Sequence, residues 1–395
     1  MKIISVNCGS SSLKFQLFDM PSEKVLTFGL AERIGLEVGF FSISVNGEKI
    51  NKELQIKDHV AAVNLLLEAL VEHKIVESLD EISAAGHRVV QGGNVFSHSV
   101  LVDDESTRIV DEFSDLAPLH NTANLIGYRS FAAALPNIKH TYVFDTAFHQ
   151  TMTRESYVYP VPYNWLEDYN VRRYGAHGTS HLYVSQRCID LMNLKDKPSK
   201  IITCHLGNGA SITAIKDGKS INTTMGFTPL GGIMMGTRSG DLDPAIVSYM
   251  ANKLNKRAHE IIEMLNKESG MLGVSGISSD ARDIEEAVNN GNQRALLTQE
   301  IYVNRVINVI GGYIMQLGGL DAIVFTAGLG ENDAVLRYKI ISALSEALKI
   351  EVNETNNSKR GQELRITTDS SKVAVWVIPT NEELVIARDT YNLVK

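Results

Sequence analysis

Two arginines read as sitting in glycine-bounded loops, Arg88 in GHRVVQGG (86–93) and Arg238 in GTRSGDLDP (236–244). A guanidinium fork matches the oxygens of a carboxylate or phosphate. Two such residues between glycines favour anion binding over the ordinary role of a solvated charge or surface ion-pair partner. His177 and His181 fall in RRYGAHGTSH (172–181) at the i, i+4 spacing of a zinc pair. Gly178 between them weakens the helix such a pair needs, and no Glu stands beside them as in a zincin. Asp145 closes the apolar run His140 to Phe144. That is where an open α/β sheet places catalytic groups, or where a carboxylate hydrogen-bonds the next turn. Glu382 and Glu383 in PTNEEL (379–384) read as a helix-capping pair, with Thr380 or Asn381 as cap, or as carboxylates reaching a metal ion.

The scaffold for these groups is written twice. VNCGSSSLKFQLF (6–18) and HLGNGASITAI (205–215) are each a strand, a small-residue turn and a second strand, about half the chain length apart. Small residues in the turns let backbone N–H groups approach an anion closely. Asp217-Gly218 signals a hairpin into a further strand near 220–224. Asp58 is placed to cap a helix through His73, a second helix spans Asn121 to Leu135 and stops at Pro136, and a third begins near Asp243-Pro244. A long helix over 296–317 ends at Gly318-Gly319. Strand 322–326 then leads into a glycine turn at 328–332 and a helix to about 348, an arrangement suited to cradling a nucleotide.

The length of 395 residues predicts about two domains. The net charge of −8 argues against nucleic acid and anionic membrane as partners, while leaving room for a locally basic pocket. Cys8, Cys188 and Cys204 lack CxxC spacing, so buried thiols are expected rather than disulfides or zinc. Met1-Lys2 runs straight into a strand-like stretch without a secretory pattern, and no run of 18 apolar residues follows, so a cytoplasmic location is expected.

The NCGSSSLK (7–14), RRYGAHGTSH, HLGNG (205–209), GTRSGDLDP, GLGEN (328–332) and PTNEEL segments together resemble the motif set of the acetate kinases, in order and over essentially the whole chain. The resemblance implies an α/β fold of duplicated ribonuclease H-like, actin-like ATPase domains, each a mixed sheet flanked by helices, with an interdomain cleft. It places one domain at 1–148 plus 384–395 and the other, nucleotide-binding, at 149–383. It implies reversible phosphoryl transfer from ATP to acetate, giving ADP and acetyl phosphate, with Mg²⁺ or alternatively Mn²⁺, in a homodimer. By motif match Asn7 and Glu382 contact the metal, directly or through water, Lys14 lies by the nucleotide phosphates, Arg88 holds the acetate or acetyl-phosphate oxygens, Asp145 is the catalytic acidic residue, and His177 and Arg238 stabilise the transition state. His205, Leu206, Gly207, Asn208 and Gly209 cradle ATP with Asp280, Ala281, Arg282, Gly328, Leu329, Gly330, Glu331 and Asn332. Val90, Leu119 and Pro229 match a small apolar pocket for the methyl group, and Ala176 stands where some relatives carry Phe.

The chemistry refines these roles. A carboxylic acid with a pKa of ~4 is already an anion at neutral pH, so its phosphorylation needs no general base. Asp145 is better argued as a magnesium or water ligand, or as an orienting group. The reaction does need cations and donors around the transferring phosphoryl oxygens. A roomier pocket at Ala176 predicts propionate turnover with acetate preferred. The competing readings are a propionate or butyrate kinase, a sugar kinase with Asp145 as its base, and an actin-like or chaperone nucleotide-gated binding protein.

Overall fold

The computed structural model describes residues 1–395, except for the side chains of Pro118 and Leu119. The expected part of Leu119 in a methyl pocket thus lies outside the described residues. Two compact units form, Met1–Phe148 with Asn381–Lys395, and His149–Thr380. The return to the first unit starts at Asn381, ahead of the expected 384. Asn381 caps the C-terminal helix by accepting from the Leu384 N–H at 3.1 Å, so the helix's whole first turn goes with it.

The first unit carries a mixed sheet built from β1 (Lys2–Cys8), β2 (Ser12–Asp19), β3 (Lys24–Glu32), β4 (Gly39–Val45), β5 (Glu48–Leu54), β6 (Ile82–Val89), β7 (Val100–Leu101) and β8 (Lys139–Phe144). Their order is β5-β4-β3-β2-β1-β6-β8-β7. β1, β6 and β8 are parallel, and β2 runs antiparallel to β1. Ile3, Ile4 and Val6 are buried in β1 because it is central and covered on both faces. The helix His59–Glu72 starts as expected, with the Asp58 carboxylate accepting from Ala61 N at 2.8 Å, and ends at His73. The second expected helix begins earlier, at Pro118, because proline's missing N–H costs nothing in a first turn. The C-terminal helix Glu382–Val394 lies directly on β6. A Cβ on Gly86 would fall 2.6 Å from Ile386 Cγ2, so only glycine permits this approach.

The second unit repeats the scheme with β9 (Lys200–Leu206), β10 (Ala210–Lys216), β11 (Lys219–Thr223), β12 (Ala322–Thr326), β13 (Leu364–Arg365) and β14 (Ala374–Val377), in the order β11-β10-β9-β12-β14-β13. The core strand pattern β3-β2-β1-β6-β8 therefore recurs as β11-β10-β9-β12-β14. The duplication expected from the two small-residue turns is present in the topology. Asp217 and Gly218 both take positive φ, 51° and 73°, as a two-residue hairpin turn requires. The long helix runs Gln293–Leu317, with Asn292 as cap and left-handed Gly318 at its end.

Two expectations change. Arg88 is in β6 rather than in a glycine-bounded loop, one residue from the strand's end. The segment 328–332 is helical (Ala327–Asn332) rather than a glycine turn. The chain turns one residue earlier, at Ala327, which carries a φ of 64°. The Glu331 carboxylate then accepts from Ala327 N at 2.8 Å and so holds the new helix's start.

Candidate active site

In the first unit the polar groups gather at the carboxyl ends of the parallel strands, where open α/β sheets present ligand sites. Arg88 near the end of β6 reaches Asp145, just past β8, through two bonds: Nε donates to Oδ1 at 3.1 Å, and Nη2 to Oδ2. Its Nη1 donates to Asn7 Oδ1 at 3.2 Å. Asp145 is fully buried, and its own N–H is held by Val89 O at 2.9 Å. Burial works against the charge on Arg88. The carboxylates of Asp145, Glu382 and Glu383 outweigh it and hold the guanidinium above its ordinary pKa. Lys14, opposite Asn7 in the β1/β2 register, pairs with Glu383 at 2.5 Å. Burial, with Asp145 and Glu383 nearby, pushes Glu382 up to about 7 against the pull of Arg88 and Lys14. Asn7, Lys14, Arg88, Asp145 and Glu382 are thus brought together. The cap of the Glu382–Val394 helix is Asn381, and both glutamates sit in its first turn, so capping and an inward carboxylate coexist. Val90 is buried, its N–H donating to Asn124 Oδ1 at 3.1 Å.

In the second unit the turn between β9 and β10 is closed by Gly207 N donating to Gly209 O at 3.2 Å. Two side chains converge on it. A Cβ built on Gly209 would lie 3.4 Å from Arg238 Nη1 and 3.6 Å from His177 Nε2, so both nitrogens face the space that glycine leaves open. Arg238 is half-buried and, among the described residues, has no carboxylate partner. Its side chain donates to Pro229 O at 3.3 Å and Met235 S at 3.7 Å, and burial holds its pKa below the usual value. A guanidinium left in that condition suits an incoming anion. His177 takes the left-handed conformation (φ 57°) as the residue before the helix Gly178–Leu191. Such backbone strain is often stored at functional sites. Gly178 starts that helix rather than preventing it. His177 Nδ1 and His181 Nε2 both lie within hydrogen-bond distance of one hydroxyl, Ser211 Oγ. The His177 and His205 rings stack at 4.1 Å. Ala176 is buried, its carbonyl accepting from His149 Nε2 at 2.9 Å, and Pro229 is half-buried.

A cavity of about 680 Å³ opens beside the same turn. Gly207, Asn208, Asp280, Ala281, Arg282, Gly328, Leu329 and Asn332 line it, so the three expected nucleotide segments meet on one hollow of a size that suits a nucleotide. His205, Leu206, Gly209, Gly330 and Glu331 flank these lining residues in sequence. Arg282 hydrogen-bonds Asp280 and draws its carboxylate down to about 2. Sequence reasoning missed Glu285, Asp333 and Arg360 in the lining. It also missed Arg337 behind it. Arg337 is fully buried with no carboxylate bonded to it among the described residues, and donates to Gly330 O at 2.9 Å, Asn357 Oδ1 at 3.0 Å and Lys359 O at 3.1 Å. It ties the GLGEN helix to the strand-free stretch bearing Arg360, and burial pushes its pKa down to about 10. No spacing pattern marks such a residue, since an arginine on an amphipathic helix reads as solvated.

Duplicated sheets of this order, with a glycine turn and a nucleotide-sized hollow, define the actin-like ATPase class of fold. Within it, the chain belongs to the acetokinase family, whose model matches residues 2–388. It is 53% identical over 392 residues to the acetate kinase of Anoxybacillus flavithermus, spanning 99% of this chain and 98% of the relative. Among solved structures it resembles the acetate kinase of Porphyromonas gingivalis (44% identity, TM-score 0.94, all of both chains). It also resembles a propionate kinase from Francisella tularensis (42%, TM-score 0.93, 99% of each).

Proposed function

We propose that this chain transfers the terminal phosphoryl group of ATP to acetate, reversibly, giving ADP and acetyl phosphate. The observation that carries the proposal is the convergence of Arg238 Nη1 and His177 Nε2 on Gly209, next to the nucleotide-sized cavity. Acetate, with a pKa of ~4, arrives ionised. Asp145 meets Arg88 with both oxygens and orients that guanidinium toward the acyl carboxylate, which brings no proton to abstract. Arg238 and His177 meet the charge on the transferring phosphoryl oxygens, where fixed donors act most strongly. Val90, Ala176 and Pro229 are assigned to the methyl group, with Leu119. Lys14 is assigned to the nucleotide phosphates, with residues 205–209, 280–282 and 328–332 around the nucleotide.

The first unit's donor set is made of hard oxygens, the Asn7 amide and the Glu382 carboxylate. It fits Mg²⁺, with Mn²⁺ as an alternative. Among the described residues no group of three His, Cys, Asp or Glu is placed to enclose an ion. Mg²⁺ keeps waters and takes nucleotide phosphates as ligands. When bound it would supply charge neutralisation, with Glu382 and Asn7 holding it directly or through water. Trapping acyl phosphate as a hydroxamate, from ATP with and without Mg²⁺, tests the whole reading. No hydroxamate with acetate would sink it.

A propionate activity is the second reading, favoured by the small Ala176 and by the likeness to a propionate kinase. Comparing kcat/KM for acetate, propionate and butyrate separates the two, since a methylene in an apolar pocket is worth about 1–3 kcal/mol. We also infer a homodimer. The helix Ala245–Leu254 buries none of its residues and exposes Ile246, Tyr249 and Leu254, an apolar surface that suits a second copy. Light scattering checks the state. Three buried unpaired thiols support a cytoplasmic setting, and among the described residues no helix is long and apolar enough to cross a membrane.

A further inference from the structure

Behind His177 runs a chain of three buried side chains. Thr203 Oγ1 lies 2.7 Å from His181 Nδ1, His181 Nε2 lies 2.7 Å from Ser211 Oγ, and Ser211 Oγ lies 2.8 Å from His177 Nδ1. Thr203, His181 and Ser211 are fully buried, so no solvent competes for these bonds. We infer that Thr203, His181 and Ser211 are positioning residues that keep the ring proton of His177 on Nε2, making it a neutral hydrogen-bond donor aimed at an anion over Gly209. The inference rests on the reading of His177 as a residue that meets the phosphoryl group.

The direction of the chain follows from its far end. The Thr203 hydroxyl has His181 Nδ1 as its side-chain partner. Were it the acceptor there, its own O–H would be left buried without a bond, which proteins avoid. Thr203 therefore donates, and His181 Nδ1 accepts. The single proton of neutral His181 is then on Nε2, and burial keeps that ring neutral. His181 Nε2–H donates to Ser211 Oγ, which leaves the one hydroxyl proton of Ser211 for His177 Nδ1. His177 Nδ1 is thus an acceptor, and its proton can only be on Nε2. That is the nitrogen facing Gly209 beside Arg238 Nη1.

The same logic applies to the neighbouring ring. Thr380 Oγ1 donates to Ser180 Oγ at 2.8 Å, and Ser180 in turn meets His205 Nδ1 at 2.8 Å, which again leaves the proton on Nε2. Two neutral imidazoles stack at 4.1 Å without mutual repulsion. Charging His177 would require Ser211 to turn toward His181 and the His181 proton to move to Nδ1, stranding the Thr203 O–H. Arg238 alongside, His205 above, and His149 with its ring 5.7 Å from His181 also disfavour a second positive charge here. The relay therefore supplies a donor without adding a cation.

The test reads the tautomer directly, by long-range proton–nitrogen correlation on the full-length protein labelled with ¹⁵N-histidine and free of substrate. The expected result is His177 with its proton on Nε2. Thr203→Val, which keeps the side-chain shape and removes the hydroxyl, should give a mixed tautomer and a His177 that titrates at higher pH. The expected fall in kcat is about tenfold with ATP KM unchanged, smaller than the ~10²–10³-fold loss of a donor itself. Thr203→Ser should restore both readings. Ser211→Ala serves as a second variant if Thr203→Val does not fold. A proton on Nδ1 in the wild-type protein, or a tautomer indifferent to Thr203→Val, overturns the relay even if His177→Ala abolishes activity. A fully active His177→Ala overturns the phosphoryl role even if the proton is on Nε2.

Discussion

Arg88 and Asp145 lock together across neighbouring parallel strands, two nitrogens of the guanidinium on two oxygens of the carboxylate. The β6/β8 register pairs Arg88 with Val143, so the aspartate two residues later, just past the strand's end, falls within the fork's reach. With Asn7 on the remaining arm, the guanidinium is held on three sides of contact. A carboxylate engaged this way is a brace, and the reaction has no proton for it to take.

Asp145→Asn keeps the shape and removes the charge, leaving a partly buried guanidinium with two acceptors where it had three. Breaking a buried pair from one side costs ~3 kcal/mol. We expect a loss of this order in urea unfolding, together with a rise in acetate KM as Arg88 loses its aim. Unchanged acetate KM in a folded variant would contradict the brace.

Arg238→Ala should separate function from stability. Burial depresses this guanidinium and no carboxylate repays it, so the folded chain carries it at a cost. Its removal is expected to lower kcat by ~10²–10³-fold with little change in ATP KM. Stability should hold or rise by about 0.5–1 kcal/mol, the pattern of a residue kept for activity. An unchanged kcat would remove Arg238 from the site.

Acid should weaken the first unit through a histidine pair. His87 Nε2 and His140 Nδ1 share one hydrogen bond at 3.0 Å, while His87 Nδ1 is buried with no hydrogen-bond partner among the described residues. Burial, with His140 adding to it, holds His87 well below 6.5, and burial lowers His140 as well. The unfolded chain takes up protons near 6.5 that the folded chain refuses. The stability is therefore complete above that pH and is lost as pH falls from 6.5 through the folded values, by up to ~1.4 kcal/mol per pH unit for each site. Melting curves followed downward from about pH 7 check this, and His87→Phe should flatten the acid limb by roughly one proton. An identical slope in the variant would count against it.

What the sequence could reveal divides by distance along the chain. The Asp217-Gly218 hairpin, the Asp58 cap and the break at Gly318 are set by residues within a turn of one another, and they are where the pattern put them. The glycine segments at 207–209 and 328–332 were legible because close backbone approach demands small residues, whereas 280–282, which holds no glycine, was marked only by the family resemblance. Arg88 was misplaced into a loop because its flanking glycines hide a strand interior: Gly86 serves helix packing, not a turn. The relay was invisible for a different reason. Thr203, Ser211 and His181 have ordinary core environments in sequence, and only the pairing of β9 with β10 under the Gly178–Leu191 helix joins their polar tips. Arg337 likewise acquires its role from acceptors at 330, 357 and 359.

That last residue yields a test of how the cavity is held. Arg337 donates to the carbonyl of Gly330 on one side and to the 357–359 stretch on the other, so it fixes the spacing between the GLGEN helix and Arg360 without reaching the cavity itself. Arg337→Met fills similar volume, yet leaves those buried acceptors without donors, at about 1–3 kcal/mol each where no water enters. The expected outcome is a marked loss of thermal stability, which ATP at saturation partly restores because a ligand that binds only the folded state adds RT ln(1 + [L]/Kd). ATP KM should rise about tenfold while kcat at saturation stays within about twofold, since the acyl and phosphoryl contacts are untouched. A variant whose kcat collapses while ATP KM holds would mean that Arg337 acts on the reacting centre and not on the nucleotide's seat.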